Sequence, residues 1–145
     1  MSKNQVQKSI RAGEFNVETW IVGLGGVMGA IARYLLSKWM SDKVSWQFPT
    51  ATLLINITGA FALGWLTRVS QTWLPEVAQR AMLFLGTGIC GAYTTFSTFS
   101  YEFTMLLESG QYRQAIAYLV TTLVFGLSAT ALGLYGWPQS RLQGM

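Results

Sequence analysis

Apolar blocks separated by short polar ones set the pattern of this chain. Residues 44–67 carry no charge across 24 positions, residues 81–101 none across 21, and residues 114–140 none across 27. Residues 19–32 are also uncharged, and Arg33 alone divides them from the YLLS that precedes Lys38. A membrane-spanning helix needs roughly 20 mostly apolar residues. The pattern predicts four such helices, at about 20–39, 49–69, 79–107 and 112–137. A soluble helical bundle would show charges turn by turn on its outer faces, and Trp20 to Ala32 and Gln114 to Trp137 show none. Trp20, Trp39, Trp46, Trp65, Trp73 and Trp137 sit near block ends, where aromatic belts meet the membrane interface.

This gives an all-α membrane protein in three parts: a flexible polar tail at 1–18, a four-helix membrane domain at 19–138 and a short C-terminal tail at 139–145. The first apolar block contains Gly-Gly and an arginine and is too long for a cleaved leader. Composition agrees with a membrane protein. Only 11% of the 145 residues are charged, against about 25% in an average soluble domain. One cysteine, Cys90, excludes an internal disulfide, and there is no histidine. The net charge of +4 is carried by residues that flank the apolar blocks. It suits lipid headgroups, and no basic cluster points to nucleic acid.

With four crossings, one side of the membrane receives Lys3, Lys8, Arg11, Arg68, Arg80 and Arg141. The other receives Arg33, Lys38, Lys43 and Arg113. Without the tail before residue 15 the balance is three against four. The positive-inside rule then has almost no bias to act on. The chain is expected to insert both ways up, and opposed copies would pair about a two-fold axis in the membrane plane.

The helix faces carry polar signals. Gly25 and Gly29 stand in G-x-x-x-G spacing, which lets backbones approach closely in lipid. Thr52, Asn56 and Gly59 share one face of the second helix; Asn56 either glues helices together or offers N–H donors to a guest. Tyr118, Thr122, Gly126 and Thr130 recur every four residues on the fourth helix, a stripe of three hydroxyls with one gap.

The third block is the anomaly. Gln79 to Leu107 is 29 residues, about 43 Å of helix, against a hydrocarbon core of about 30 Å. It contains Gly86, Gly88 and Gly91, then Tyr93-Thr94-Thr95, residues that weaken a helix. The sequence therefore predicts a third helix broken in mid-membrane. Broken backbone at that depth must be buried in protein or face water or an ion, and its freed carbonyls can hold a hard cation. Phe96 and Phe99 share a face beyond the break. An aromatic ring is positive at its edge, so ring edges lining a narrow pore would favour an anion.

GTGICGAYTTFSTF, ATLLINITGAFALG and GGVMGAIARY, taken with length, order and helix count over about 20–137, resemble the family of small fluoride channels called Fluc or CrcB. The resemblance implies an antiparallel homodimer in the bacterial cytoplasmic (inner) membrane with two separate fluoride pores. It implies a fluoride pathway of Asn56, Phe96, Phe99, Tyr118, Thr122 and Thr130, with Gly126 where relatives often carry a serine. It implies a structural sodium ion on the two-fold axis, held by the backbone carbonyls of Gly91 and Thr94, and vestibule positions for Arg33 and Glu102.

Rival classes fit less well. A small proton-coupled multidrug exporter of similar size requires an acidic residue deep in its first helix, and helix 1 has none. An enzyme would need a nucleophile–base pair or a metal cluster that these residues do not supply. A helix-packing subunit would leave the Phe–hydroxyl cluster without a role. The charge balance predicts that a C-terminal reporter will be found on both sides of the membrane; a reporter confined to one side rules out dual insertion.

Overall fold

The computed structural model describes the backbone of residues 3–42, 48–73 and 78–136 and the side chains of 17–42, 48–70 and 78–136. The C-terminal tail 139–145, Trp46 and Trp137 lie outside the described residues, as do the side chains of Trp73 and of the tail up to residue 16. Among the described residues the chain is helical, without strands. Helix α1 (Lys3–Ser41) is followed by α2 (Thr50–Trp73) and α3 (Ala78–Ala81). The last runs into a π-helical stretch, Met82–Cys90, and on into α4 (Gly91–Tyr93); α5 (Phe96–Glu108) and α6 (Tyr112–Tyr135) complete the order.

Among the described residues three stretches are long and apolar enough to cross a membrane: Val17–Ser41, Thr50–Ser70 and Tyr112–Tyr135. They correspond to the first, second and fourth expected helices. The third apolar block is α3, the π-helical stretch, α4 and α5 in series, so the break lies where the glycines and threonines placed it. One boundary differs. The polar stretch from Lys3 to Glu18, expected as a loose tail, continues α1. It holds a single glycine, Gly13, and no proline, so nothing in it stops a helix.

The spanning faces are apolar and uncovered. Trp20, Leu24, Val27, Leu127 and Leu132 are all exposed. In water such area would cost about 25 cal/mol per Å²; against lipid tails it costs nothing comparable. Lipid equally removes the hydrophobic drive for helices to join, so close backbone packing must hold them. α1 lies against the π-helical stretch and α4, and α2 against α6. The G-x-x-x-G face of α1 forms the first of these contacts. A Cβ on Gly29 would run into the Ile89 carbonyl, and one on Gly25 into Phe84 O. From the other side, a Cβ on Gly88 would come within 2.9 Å of Gly25 Cα and 3.0 Å of Val22 O. At the second contact a Cβ on Gly64 would meet Thr130 O at 2.6 Å, and one on Gly133 would meet Trp65 N at 2.7 Å.

The α5–α6 turn closes on Gly110, whose φ is +74°. Gln111 N–H donates to Leu106 O at 2.9 Å and Gly110 N–H to Leu107 O at 3.0 Å, a Schellman closure that calls for glycine at the left-handed position. The short turn returns α6 antiparallel to α5, where Phe99, Leu106, Ala115 and Tyr118 form a buried cluster.

Gly29→Ala should lower stability by about 1–3 kcal/mol through backbone overpacking, although alanine is the better helix former. Gly26→Ala, where a Cβ meets nothing within 4 Å, should not. Thermal unfolding in detergent distinguishes them, and equal midpoints would refute the close contact of α1 with the π-helical stretch.

Candidate functional site

Two consecutive extended residues make the break. Thr94 has φ −77° and ψ 160°, which ends α4, and Thr95 has φ −152° and ψ 120°, which opens α5. Thr94 N–H still closes on Cys90 O at 3.0 Å. The next N–H leaves the helical ladder: Thr95 N–H donates to Asn56 Oδ1 at 2.9 Å. In return Asn56 Nδ2 donates to Thr95 O at 3.1 Å. A backbone N–H can only donate, so the amide oxygen must face it, and the orientation of the Asn56 side chain follows. Thr95 then caps α5, its Oγ1 accepting from Thr98 N–H at 3.2 Å, as an N-cap threonine does.

These diversions have a definite consequence. In an unbroken helix Thr95 N–H would return to Gly91 O and Thr98 N–H to Thr94 O. Both donors now serve side chains, so both carbonyls leave the ladder. They are the two carbonyls that the resemblance assigns to a cation. Oxygen donors of this kind suit a hard monovalent ion, and unwound backbone is where membrane proteins find them. The α2 face described above holds the break in place at three points. Gly59 seats Thr94, Asn56 clamps Thr95, and Thr52 Oγ1 donates to Glu102 Oε1 at 2.9 Å. A Cβ on Gly59 would collide with the Thr94 methyl and come within 3.1 Å of the Tyr93 ring.

Beside the break lies an open groove of about 400 Å³, whose lining includes Asn56, Phe96, Phe99, Thr122, Gly126 and Thr130. Five expected pathway residues and the expected gap are thus brought together from α2, α5 and α6. The two phenylalanine rings sit 5.9 Å apart, tilted by 42°. Phe99 is buried, its ring 5.0 Å from that of Tyr118 and 6.2 Å from that of Phe103. Phe96 is 79% exposed. The available protons are few. Asn56 has given one N–H to Thr95 O and retains the other. Thr130 Oγ1 donates to Gly126 O at 3.1 Å. Thr122 Oγ1 has no partner, but it is covered and so does not open onto the groove.

Tyr118 does not line this groove. It is fully buried and donates to Glu102 Oε2 at 2.7 Å. With Thr52 on the other oxygen, each carboxylate oxygen of Glu102 receives a hydroxyl proton, and α2, α5 and α6 are tied together. Glu102 and Thr52 line a second cavity of about 530 Å³ with Thr98 and Phe48. Arg33, half-buried on α1, lines neither. Three residues lie outside the expected pathway set. Thr95 is the cap, signalled by a hydroxyl directly before the FSTF run. Thr52 is the partner of Glu102 and shares the Asn56 face. Gln114 stands four residues before Tyr118 on the same stripe, with a buried amide oxygen that has no partner.

A helical chain with apolar uncovered spans and a largely apolar groove that a few polar groups enter at a broken helix is a multi-pass membrane protein. The family model described as CrcB-like protein, Camphor Resistance (CrcB), matches residues 20–134, and the chain belongs to that family. It is 44% identical over 115 residues to a protein of Moorella thermoacetica named fluoride-specific ion channel FluC 2, covering 79% of this chain and 92% of that one. It is 41% identical over 120 residues to a protein of the same name from Bacillus thuringiensis subsp. konkukian, covering 81% and 95%. A fluoride-specific ion channel FluC 1 of Geobacillus kaustophilus is 39% identical over 114 residues.

Asn56→Ala removes both hydrogen bonds to the break and should destabilise the protein by about 2 kcal/mol or more, since a buried orphaned group costs about 1–3 kcal/mol. An unchanged unfolding midpoint would show that the clamp is not what holds the break.

Proposed function

We propose that this chain is a passive, fluoride-selective channel of the bacterial inner membrane, working as an antiparallel homodimer with two pores. The observation that carries this reading is the convergence on one groove of the Asn56 amide and two aromatic rings. They lie beside a backbone break, in a chain 44% identical to a named fluoride-specific channel. Fluoride is small and strongly hydrated, and removing its water is costly unless donors replace it. The Asn56 amide supplies such a donor, and the ring edges of Phe96 and Phe99 supply a weaker positive rim.

No lysine or arginine lines either cavity. A full positive charge would bind the anion tightly, whereas conduction requires sites that release as well as bind. The exposed Phe96 and the open side of the groove are consistent with a second copy completing the wall. The charge balance of the loops favours that copy being inverted. The free carbonyls of Gly91 and Thr94 suit a sodium ion shared by the two copies on their axis. When bound, the ion supplies fixed positive charge and ties the two breaks together. A passive pathway lets fluoride leave the cytoplasm down its electrochemical gradient after HF has entered and dissociated.

Purified protein in liposomes should release fluoride rapidly, without a proton gradient and without releasing chloride; a fluoride electrode reads this directly. Phe96→Ile and Phe99→Ile should cut the flux by about tenfold or more while leaving the oligomer intact, the loss of about 1.4 kcal/mol at the barrier. Unchanged flux in both would refute the ring-edge role. Gly91→Ala tests the shared ion. Within one chain the new methyl meets only Gly86 O, at 3.8 Å, so any weakening of the oligomer must come from the second copy. A wild-type oligomer after that change would count against a cation held there.

A further inference from the structure

Three consecutive residues at the break each meet α2. Asn56 clamps Thr95, and Gly59 seats the Thr94 methyl. The third is Tyr93, the last residue of α4. Its ring also lies over Gly59, where an added Cβ would come 3.1 Å from Tyr93 Cδ1 and 3.6 Å from Cε1. Its hydroxyl lies 3.1 Å from Thr58 Oγ1. A proton count gives the direction of that bond. Thr58 Oγ1 is 2.7 Å from Leu54 O and 3.2 Å from Ile55 O. Carbonyls can only accept, so the one Thr58 proton is committed to α2 itself. Tyr93 is therefore the donor. Within the span there is no water to compete for its hydroxyl.

The Thr94 side chain is also committed, its hydroxyl to Cys90 O at 3.0 Å and its methyl to Gly59. What Thr94 offers a cation is its carbonyl, and the residues on either side set where that carbonyl stands. Downstream, Asn56 holds Thr95. Upstream is α4, a single turn of three residues between the π-helical stretch and the extended pair. So short a helix has little stability of its own. Gly91 opens this turn and Thr94 follows it, so both carbonyls assigned to sodium stand at the ends of one turn. We propose that Tyr93 is a positioning residue for the cation site: its bond to Thr58 and its ring on Gly59 fix the end of α4, and with it the Gly91 and Thr94 carbonyls. The proposal rests on the sodium reading above.

Tyr93→Phe removes the donor and leaves the ring over Gly59. The test is thermal unfolding of the detergent-solubilised protein against Na+, exchanged for choline at constant ionic strength and fixed protein concentration. Stabilisation by a bound ion grows as the logarithm of one plus its concentration over Kd. A weaker site thus displaces the curve along the concentration axis, whereas a merely structural loss lowers it equally at every concentration. Tyr93→Phe should displace the curve to about threefold higher Na+, the effect of one hydrogen bond between membrane helices. Thr58→Val, which removes the acceptor, should displace it equally, and Thr58→Ser should keep the wild-type curve. The double variant with Tyr93→Phe and Thr58→Val should be no worse than either single one, since both remove the same bond. A uniform drop without displacement overturns the proposal, and so does additive displacement in the double variant. If Tyr93→Phe does not give the wild-type oligomer on size exclusion, Thr58→Val against Thr58→Ser decides, and equal curves in those two overturn it. Wild-type protein insensitive to Na+ overturns both the sodium reading and this proposal. A sodium-sensitive wild type whose curve Tyr93→Phe shares overturns this proposal alone.

Discussion

An α-helix returns each interior N–H to the carbonyl four residues behind it, and a membrane allows little departure from that rule. Between Gly91 and Thr98 this chain departs from it. Two of the diverted donors find side chains: Thr95 N–H goes to Asn56 and Thr98 N–H to the Thr95 hydroxyl. The diversions also leave carbonyls without their helical donors, and Gly91, Thr94 and Thr95 line the groove together with Asn56. The two-bond clamp of Asn56 on Thr95 underlies this arrangement, because it holds the extended residues against the preference of the chain to re-form helix.

The same economy explains why α2 is polar along one face. Thr52, Asn56 and Gly59 each meet a different part of the third apolar block, at Glu102, Thr95 and Thr94. Hydrogen bonds between membrane helices are individually modest, but three contacts along one stripe also fix register. The glycine contacts of α1 with the π-helical stretch act from the opposite side by a different means, close backbone approach. The broken segment is held between a polar face and a small-residue face. The π-helical stretch ends one short helical segment before the break, and π-helical turns often lie near functional sites.

The groove shows how few protons a low-dielectric site leaves free. A threonine hydroxyl in a membrane helix readily bonds back to the carbonyl four residues behind, and Thr121 and Thr130 do so. Tyr118 gives its proton to Glu102. Thr122 and one N–H of Asn56 are left. A stripe that reads in sequence as three equivalent hydroxyls is in space one covered and without a partner, one committed along the helix and one committed to a carboxylate. The pairing of Glu102 with two hydroxyls also spreads its negative charge.

Much of this was legible in the residues. The absence of charge over 20 or more consecutive positions determines helices by length and solvent alone, since lipid leaves the backbone no other partner. The glycine and threonine run located the break because those residues weaken a helix wherever they stand. The facing of Asn56 with Thr52 and Gly59, and of Phe96 with Phe99, follows from helical period. Which hydroxyl keeps its proton was not legible, because back-bonding and cross-helix bonding compete and only the distance to a neighbour decides. Nor was the role of Asn56: from spacing it could have been glue or ligand, and the fold makes it glue with one N–H to spare. Local chemistry set the elements. The tertiary structure set the division of a small supply of donors, since that depends on which groups from α2, α5 and α6 come within 3 Å of one another.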